Sequence, residues 1–429
     1  MSQRLLADPS PGPLEDYAST FDGIFSKRSQ RESFRRYLEG LLLGCERNKT
    51  LTGLANTEPV VGATKPKAQR LQWFLSESTW DPERVNQQRL SLLSQNEVTV
   101  PNTEGVLIID ETGDRKWGSK TAHVGKQYLG SIGKIDNGVV SVSSLWADER
   151  LYYPIAVEPY TQAHHFINGK SDSGFRTKPQ IALELVKKTI TAGIPFRAVV
   201  ADSFCGENND FTAGLEDLQA GYVVAVKPSY CWWHKEGDIG SVIEAALSSP
   251  WCVNEPGEWV SLLRNFRDGH EEQWWTLEAD CGPFGPEKLQ RLVIVTTDPV
   301  QLPERTTWYV RTNLPTPNSK RAKQSNLPTA KLDEVVRLYG LRVGVEQSYK
   351  QVKGTLGWAQ YQVRSDLAIR RHWQLVYCAF SFCWWALSQK ETMTADLAID
   401  IPERPAQVEA VVSIQDLHQK TEYQKKSVA

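Results

Sequence analysis

The chain has 429 residues, of which 40% are hydrophobic and 23% are charged, and its formal net charge is −2. This composition is typical of a soluble globular protein with a large core, and it excludes a chain that is disordered throughout. A chain of this length favours two or three domains.

The apolar segments and the cysteines indicate the cellular compartment of the protein. The most apolar stretch, residues 373–387, is too short to span a membrane, and residues 1–14 lack the apolar run of a signal peptide. Seven cysteines are present without CxxC spacing, which favours a reducing compartment and argues against a zinc ribbon. We therefore predict a cytoplasmic protein with no membrane contact.

The nearly neutral total charge hides two oppositely charged regions. Residues 319–373 contain eleven basic and four acidic residues, a net charge of +7. Residues 233–289 contain four basic and eleven acidic residues, a net charge of −7. Such a basic stripe within a neutral chain is typical of a surface that binds a polyanion.

Residues 1–98 are predicted to form a helical N-terminal domain. Amphipathic runs begin near Arg31, near Thr64 and after Pro82, and proline suits the first turn of a helix. Such a unit could bind DNA or pack on the next domain, and no helix-turn-helix spacing decides between these roles. We assign it as a DNA-binding domain.

Residues 99–228 alternate between predicted strands and helices. Continuous apolar runs at 105–110, 197–202 and 221–226 predict buried strands, and 127–130, 138–146 and 151–157 predict further extended segments. With helices at 178–192 and 211–220, the order is β-β-β-α-β-α-β. That order is typical of the first part of a ribonuclease-H-like catalytic core.

The alternation of strands and helices stops after residue 228. Three further segments are predicted beyond it. Residues 229–329 are rich in tryptophan and strand-like pieces, which predicts a β-rich insertion. Residues 330–390 return to helices and complete the core. Residues 391–429 are polar and predict a partly disordered tail.

The segment 339–353 places four polar side chains on one helix face. Read as a single helix, Tyr339, Arg342, Glu346 and Lys353 fall within an arc of about 60°. A carboxylate flanked by two cations suits a metal-bound anion beside a phosphate backbone. A solvated face with i,i+4 pairs explains the pattern equally well.

Two aspartates favour the metal-bound carboxylate over the solvated helix face. Asp110 and Asp202 each close an apolar strand in the predicted core. A single aspartate there is usually a cap, but two on neighbouring strands, with Glu346 on a later helix, can converge as oxygen ligands for two Mg²⁺ or Mn²⁺ ions. Two such ions support in-line displacement at phosphorus. No P-loop is present, which argues against a nucleotide cofactor.

The same residues carry a family resemblance. The spacing Tyr339-x2-Arg342-x3-Glu346-x6-Lys353 matches all four positions of the YREK motif of IS4-like DDE transposases. The segments IIDETGDRKWG and VGKQYLGSIGK, which contain and follow Asp110, resemble the IS701 family of bacterial insertion sequences, as does VADSFCG around Asp202. The likeness covers about residues 30–375.

The resemblance implies roles for these residues. Asp110, Asp202 and Glu346 would be catalytic metal ligands for two Mg²⁺ ions, with Mn²⁺ able to substitute. Tyr339 and the cations of the YREK motif would bind the transposon-end strand. These cations are Arg342 and Lys353. Further DNA contacts are expected from the following residues: Lys116, Lys120, Lys126, Lys350 and Trp308.

For Lys116, Lys120 and Lys126 a solvated surface is an equal alternative. For Trp308, stacking on a flipped base competes with aromatic core packing, which is the commoner role of a tryptophan.

The resemblance further implies a cut-and-paste transposase of double-stranded DNA. It would cut the terminal inverted repeats of an insertion sequence and join the free 3′-OH to target DNA. Two ends must be paired, which implies a homodimer at least on DNA, in the bacterial cytoplasm and nucleoid-associated when bound.

The alternatives are a ribonuclease-H-like nuclease without strand transfer, a host-adopted DNA-binding protein and, more remotely, a glycoside hydrolase with two carboxylates.

Overall fold

A computed structural model describes residues 8–10, 12–44, 48–57, 62–233, 239–266, 269–281 and 290–396. The predicted tail falls outside the described residues beyond position 396. Within the described ranges, no helix combines the length and apolar character needed to cross a bilayer.

The N-terminal region is helical. Its α-helices are α1 (Pro13–Ser19), α2 (Arg28–Leu42), α3 (Leu51–Leu54), α4 (Pro66–Ser76) and α5 (Pro82–Ser94). Proline stands in the first turn of α1, α4 and α5, where its missing N–H costs no hydrogen bond. The Asp81 side chain caps α5 by accepting from the amide of Glu83 at 2.9 Å.

The central region supplies strands and the helices that cover them. Its elements are β1 (Val106–Arg115), β2 (Gly125–Leu129), β3 (Lys134–Ala147), β4 (Tyr152–Tyr160), α6 (Lys178–Thr191), β5 (Ala198–Ala201), α7 (Ser203–Gly206), α8 (Asn209–Asp217) and β6 (Tyr222–Ala225). β1 pairs antiparallel with β3 and parallel with β5, and β5 pairs parallel with β6. Side chains of β1, β5 and β6 are buried as the apolar runs predict.

The tryptophan-rich region adds more strands to the same sheet. Its elements are β7 (Cys231–Trp233), β8 (Ile239–Ser241), α9 (Val242–Leu247), β9 (Val260–Asn265), β10 (Glu271–Cys281), β11 (Gln290–Thr296) and β12 (Thr307–Thr312). The order along the sheet is β2-β3-β1-β5-β6-β12-β11-β10-β7-β8, with β4 on β3 and β9 on β10. Because β12 pairs with β6, these strands extend the central sheet. The predicted mixed α/β class is confirmed.

The C-terminal region returns to helices. They are α10 (Lys320–Gln324), α11 (Leu332–Gly340), α12 (Val343–Gly354) and α13 (Asp366–Asp396). The prediction of one helix through Tyr339 and Lys353 is therefore wrong. The chain turns at Leu341 and Arg342, where the Arg342 amide donates to the carbonyl of Tyr339 at 3.0 Å. Gly340, a poor helix former, precedes this turn.

The helix α13, near the C-terminal end of the described residues, packs against the N-terminal helices. Its Arg371 donates to the carbonyl of Leu75 at 2.8 Å, and its His372 ring lies 2.8 Å from the hydroxyl of Tyr37. The fully buried Arg89 of α5 donates to the Ser381 hydroxyl at 3.0 Å. The N-terminal helices thus share one continuous core with α13 and the sheet.

Candidate active site

Asp110 on β1 and Asp202 directly after β5 follow a pair of residues that are matched across neighbouring parallel strands. The β1–β5 register pairs Ile109 with Ala201, so the residue that follows each of them is one of the two aspartates. One expectation is wrong: Asp110 does not end its strand. β1 continues to Arg115 because its other edge stays paired with β3, where Asp110 faces Ser143.

Asp202 is held by the turn that follows β5. Its carboxylate accepts from the amides of Phe204 at 3.1 Å and Cys205 at 3.5 Å, which caps the short helix α7. Gly206 lets this turn pack closely on β6, since a Cβ there would stand 1.9 Å from the carbonyl oxygen of Ala225. The aspartate therefore has a structural role besides any catalytic one.

Successive side chains of β1 point to opposite faces of the sheet, so its acidic side chains are divided between the two faces. Asp110 and Asp114 share one face. Glu111 points to the other, where its carboxylate pairs with Lys178 of α6 at 2.8 Å. The run Asp-Glu-Thr-Gly-Asp thus places two carboxylates on the sheet face that carries Asp110 and one on the opposite face.

The helix α12 crosses the face of β1 that carries Asp110. At one end Arg342 donates to the Asp110 carboxylate at 3.0 Å, and at the other Lys353 pairs with Asp114 at 2.7 Å. Between them the hydroxyl of Tyr349 lies 2.7 Å from that of Ser143. These contacts fix the orientation of the helix that carries Glu346.

Glu346 faces the same guanidinium from the first turn of α12. Its carboxylate lies 3.7 Å from Arg342, and its side chain is 67% exposed. Among the described residues no three acidic, histidine or cysteine side chains are arranged closely enough to hold one metal ion. Arg342 therefore brings Asp110 and Glu346 to one place without making them a preformed cluster.

Negative charge is unfavourable at Asp110. Burial raises the pKa of this carboxyl to about 6, Arg342 opposes that rise, and the neighbouring charge of Asp202 adds to it. A carboxylate of raised pKa beside a second acid is typical of a functional site. A cation bound between the aspartates would relieve the cost of both charges.

The donor set suits a hard divalent cation. Asp110, Asp202 and Glu346 offer carboxylate oxygens, the ligands that Mg²⁺ and Mn²⁺ prefer, and contribute no soft sulfur ligand. The Glu346 side chain is 67% exposed and shares the guanidinium of Arg342 with Asp110. The residues present therefore fit a divalent metal site.

Tyr339 and Trp308 lie together at the border between α11 and β12. Their rings meet edge to face with centroids 5.1 Å apart, and Trp308 lies 4.8 Å from Trp274. Arg264 stands over the Trp308 ring at 4.5 Å. Because these neighbours surround its ring, the contacts of Trp308 favour the packing role over base stacking.

The predicted DNA-contacting cations have different surroundings. Lys116 faces inward: its ammonium lies 3.4 Å from the centre of the Tyr361 ring and donates to the carbonyl of Ala359 at 2.9 Å. These contacts argue against a fully solvated Lys116, and its contact with DNA stays a prediction. Lys120, Lys126 and Lys350 are exposed, while Lys353 is engaged by Asp114.

Two residues of this region were not predicted from the sequence. Asp114 could have been found from its spacing of four residues from Asp110, which places both on one strand face. Arg264 alternates with Leu262 on β9 and with Phe266 directly after it, and all three are partly buried. That alternation was a signal for an arginine on the inner face.

Comparison with known proteins defines the class of this site. The family model described as DDE superfamily endonuclease matches residues 20–239, which include Asp110 and Asp202 but end before Glu346. Endonucleases of this superfamily generally use divalent metal ions.

A curated relative narrows the class. Over 364 residues the chain is 32% identical to the "Probable transposase for insertion sequence element IS701" of Microchaete diplosiphon, and the match covers 85% of each protein. The chain belongs to the IS701 family of DDE transposases. It is accordingly a DNA transposase with endonuclease activity, as the resemblance of its motifs implied.

Proposed function

We propose that Asp110, Asp202 and Glu346 are the catalytic acids and hold two Mg²⁺ ions, which Mn²⁺ can replace. The placement of the two aspartates directly after the paired residues Ile109 of β1 and Ala201 of β5 carries this proposal. Glu346 joins them through the guanidinium of Arg342, which contacts Asp110 and Glu346. Bound there, the ions would activate an attacking oxygen and stabilise the leaving one.

Arg342 is the residue of this site best suited to a DNA phosphate. Its planar guanidinium carries more donors than its contact with one oxygen of Asp110 uses. It lies between two of the proposed acids, so a phosphate beside those acids meets a cation already in place. Tyr339 flanks the same turn and, with Lys353, keeps its proposed role in holding the end strand.

The catalytic core is proposed to be ribonuclease-H-like. Its support is the succession of the antiparallel β1–β3 pair and the parallel strands β5 and β6, with α6 and α8 between them. In this proposal the N-terminal helices, residues 1–98, bind DNA, the strands within 229–329 form an insertion, and 330–390 complete the core.

The proposed reaction is cut-and-paste transposition at terminal inverted repeats. Water attacks phosphorus at the transposon end and the phosphodiester bond to the 3′ oxygen breaks, which leaves a free 3′-OH. That hydroxyl then attacks a target phosphodiester and displaces a target 3′ oxygen. Pairing two ends requires a homodimer on DNA, at the bacterial nucleoid.

Neutral substitutions test the acids. Asp110→Asn, Asp202→Asn and Glu346→Gln should each reduce cleavage of an end duplex in Mg²⁺ by about a thousandfold or more, because each removes a metal ligand. Binding of the duplex, measured by fluorescence anisotropy, should persist.

The matched control is Glu111→Gln, which alters the acid adjacent to Asp110 on the opposite sheet face. It should cleave like the parent chain. Full cleavage by any of the three site variants in Mn²⁺ would remove that residue from the proposed site.

A joining assay tests the second step. Pre-cleaved ends with a free 3′-OH are incubated with a supercoiled plasmid, and joined products are separated on a gel. A transposase joins the ends, whereas a nuclease of the same fold cuts but leaves no joined product.

A further inference from the structure

Arg264 of β9 is held by aromatic rings. Its guanidinium carbon lies 4.3 Å from the centre of the Phe266 ring, 4.8 Å from that of Trp274 and 4.5 Å from that of Trp308. Guanidinium groups stack well on aromatic faces, and the contact is stronger where water is excluded. We refer to Phe266, Trp274 and Trp308 as the aromatic cage.

The cage holds the cation without using its hydrogen-bond donors. Among the described residues no carboxylate forms an ion pair with Arg264. The nearest acid in electrostatic influence, Glu272, instead accepts from the Trp274 indole N–H at 2.9 Å and lies 3.5 Å from His270. None of the Arg264 nitrogens is buried without a partner, so its edge remains open to solvent.

Arg264 also lies beside the turn that presents Arg342. A Cβ built on Gly340 would stand 3.3 Å from an Arg264 nitrogen. The adjacent Tyr339 packs on the cage tryptophan Trp308, and the pKa of Tyr339 is raised by burial and by the charges of Asp202, Asp110 and Glu346. The open edge of Arg264 is thus at the border of the proposed catalytic site.

Packing alone does not explain a cation at this position. Burial lowers the pKa of Arg264, so its charge is partly desolvated. The surrounding stretch 233–289 has a net charge of −7, yet none of its acids that the structure describes forms an ion pair with Arg264. An apolar side chain would fill the cage without that desolvation cost. A guanidinium fixed by its faces, with free edge donors, matches the geometry of a phosphate.

We infer that Arg264 binds a backbone phosphate of the DNA end held in the catalytic site, with the aromatic cage fixing its orientation. This rests on the proposed function, since it requires DNA beside Asp110 and Asp202. It adds a contact from the acidic region 233–289, which charge patterning alone assigns no DNA-binding role.

The test compares Arg264→Met with Arg264→Lys. Methionine keeps an apolar stem in the cage without charge, whereas lysine keeps the charge without the planar fork. Binding of an end duplex at low salt should weaken about tenfold for the methionine variant, because a charge-assisted contact is lost. Lysine should recover part of the loss. The slope of log affinity against log salt should flatten by about one for methionine.

Arg305→Met is the matched control, because Arg305 is an exposed cation of the same strand region outside the cage. A scan with single neutral methylphosphonates then locates the contact. One position should weaken binding by the parent chain and leave Arg264→Met unaffected. Thermal melting of each variant verifies that the fold is retained.

The outcomes separate this inference from the proposed function. If the parent chain binds and cleaves the end duplex but Arg264→Met equals Arg305→Met in affinity and salt slope, Arg264 is only a packing residue and the inference is wrong. If the parent chain itself neither binds nor cleaves, the proposed function fails first. A melting loss with unchanged affinity of the folded fraction also overturns the phosphate contact.

Discussion

Two regions of this transposase hold their cations in opposite ways. On the face of β1, Arg342 and Lys353 are paired with Asp110 and Asp114 at 3.0 and 2.7 Å. In the aromatic cage, Arg264 is held by rings and has no ion pair among the described residues. A carboxylate occupies some donors of its cation, as Asp110 does for Arg342, whereas a ring fixes the cation and occupies none of them.

The difference separates two functions of positive charge. The pairs on β1 orient α12 and so place Glu346 relative to the aspartates. Arg264 forms no ion pair with the acids that the structure describes, so its N–H groups are available for the phosphate that we infer. A high local density of arginine and lysine is therefore a poor measure of DNA contact until the partner of each cation is known.

The largest effect on stability is expected at the Lys353–Asp114 pair. The Asp114 side chain is only 6% exposed, so Lys353→Met leaves a buried carboxylate without its cation and should destabilise the fold by about 3 kcal/mol. Adding Asp114→Asn should recover most of the loss. Chemical unfolding of both single variants and the double variant measures this coupling. Additive losses would show that the pair contributes nothing.

The contribution to stability of Lys116, which lies against the Tyr361 ring, should depend on pH. Burial lowers the pKa of Lys116 to about 8 from its usual 10.5. Between these values the unfolded chain binds more protons, so stability from this site increases with pH. Relative to Lys116→Met, the parent chain should gain about 2 kcal/mol between pH 7.5 and 9.5 in unfolding free energy. Equal pH profiles would contradict the lowered pKa.

The smallest effect on stability is expected for a cation that has neither a carboxylate nor a ring partner among the described residues. Lys350 on α12 is exposed, so Lys350→Ala should change stability by less than about 0.5 kcal/mol. If it meets DNA as predicted, the salt slope of end binding should flatten by about one. Lys187→Ala, on α6 across the sheet, is the matched control. Identical slopes for both variants would place Lys350 outside the DNA contact.

The sequence alone was sufficient where local pattern decides structure. The apolar runs before Asp110 and Asp202 predicted buried strands, and parallel pairing then placed the two aspartates together. The order of strands and helices predicted the α/β class. Composition placed the tryptophan-rich strands between 229 and 329, although only the pairing of β12 with β6 showed that they continue the central sheet.

The sequence was insufficient where distant segments decide. Apolar periodicity runs through Gly340 without interruption, so the turn between α11 and α12 was hidden. The inward orientation of Lys116 depends on Tyr361, and the cage around Arg264 is completed by Trp308. Each of these partners is remote in sequence, and no local spacing specifies them.

The packing of α13 has a consequence for synthesis of the protein. The N-terminal helices bury Phe21, Phe34 and Leu38 in a core to which α13 contributes, through anchors that include Arg371 and His372. The ribosome makes α13 after every other element that the structure describes. The apolar faces of the N-terminal helices therefore stay partly uncovered until α13 has been made. A chain interrupted before residue 366 would lack α13, so the apolar faces of its N-terminal helices would lose that packing partner.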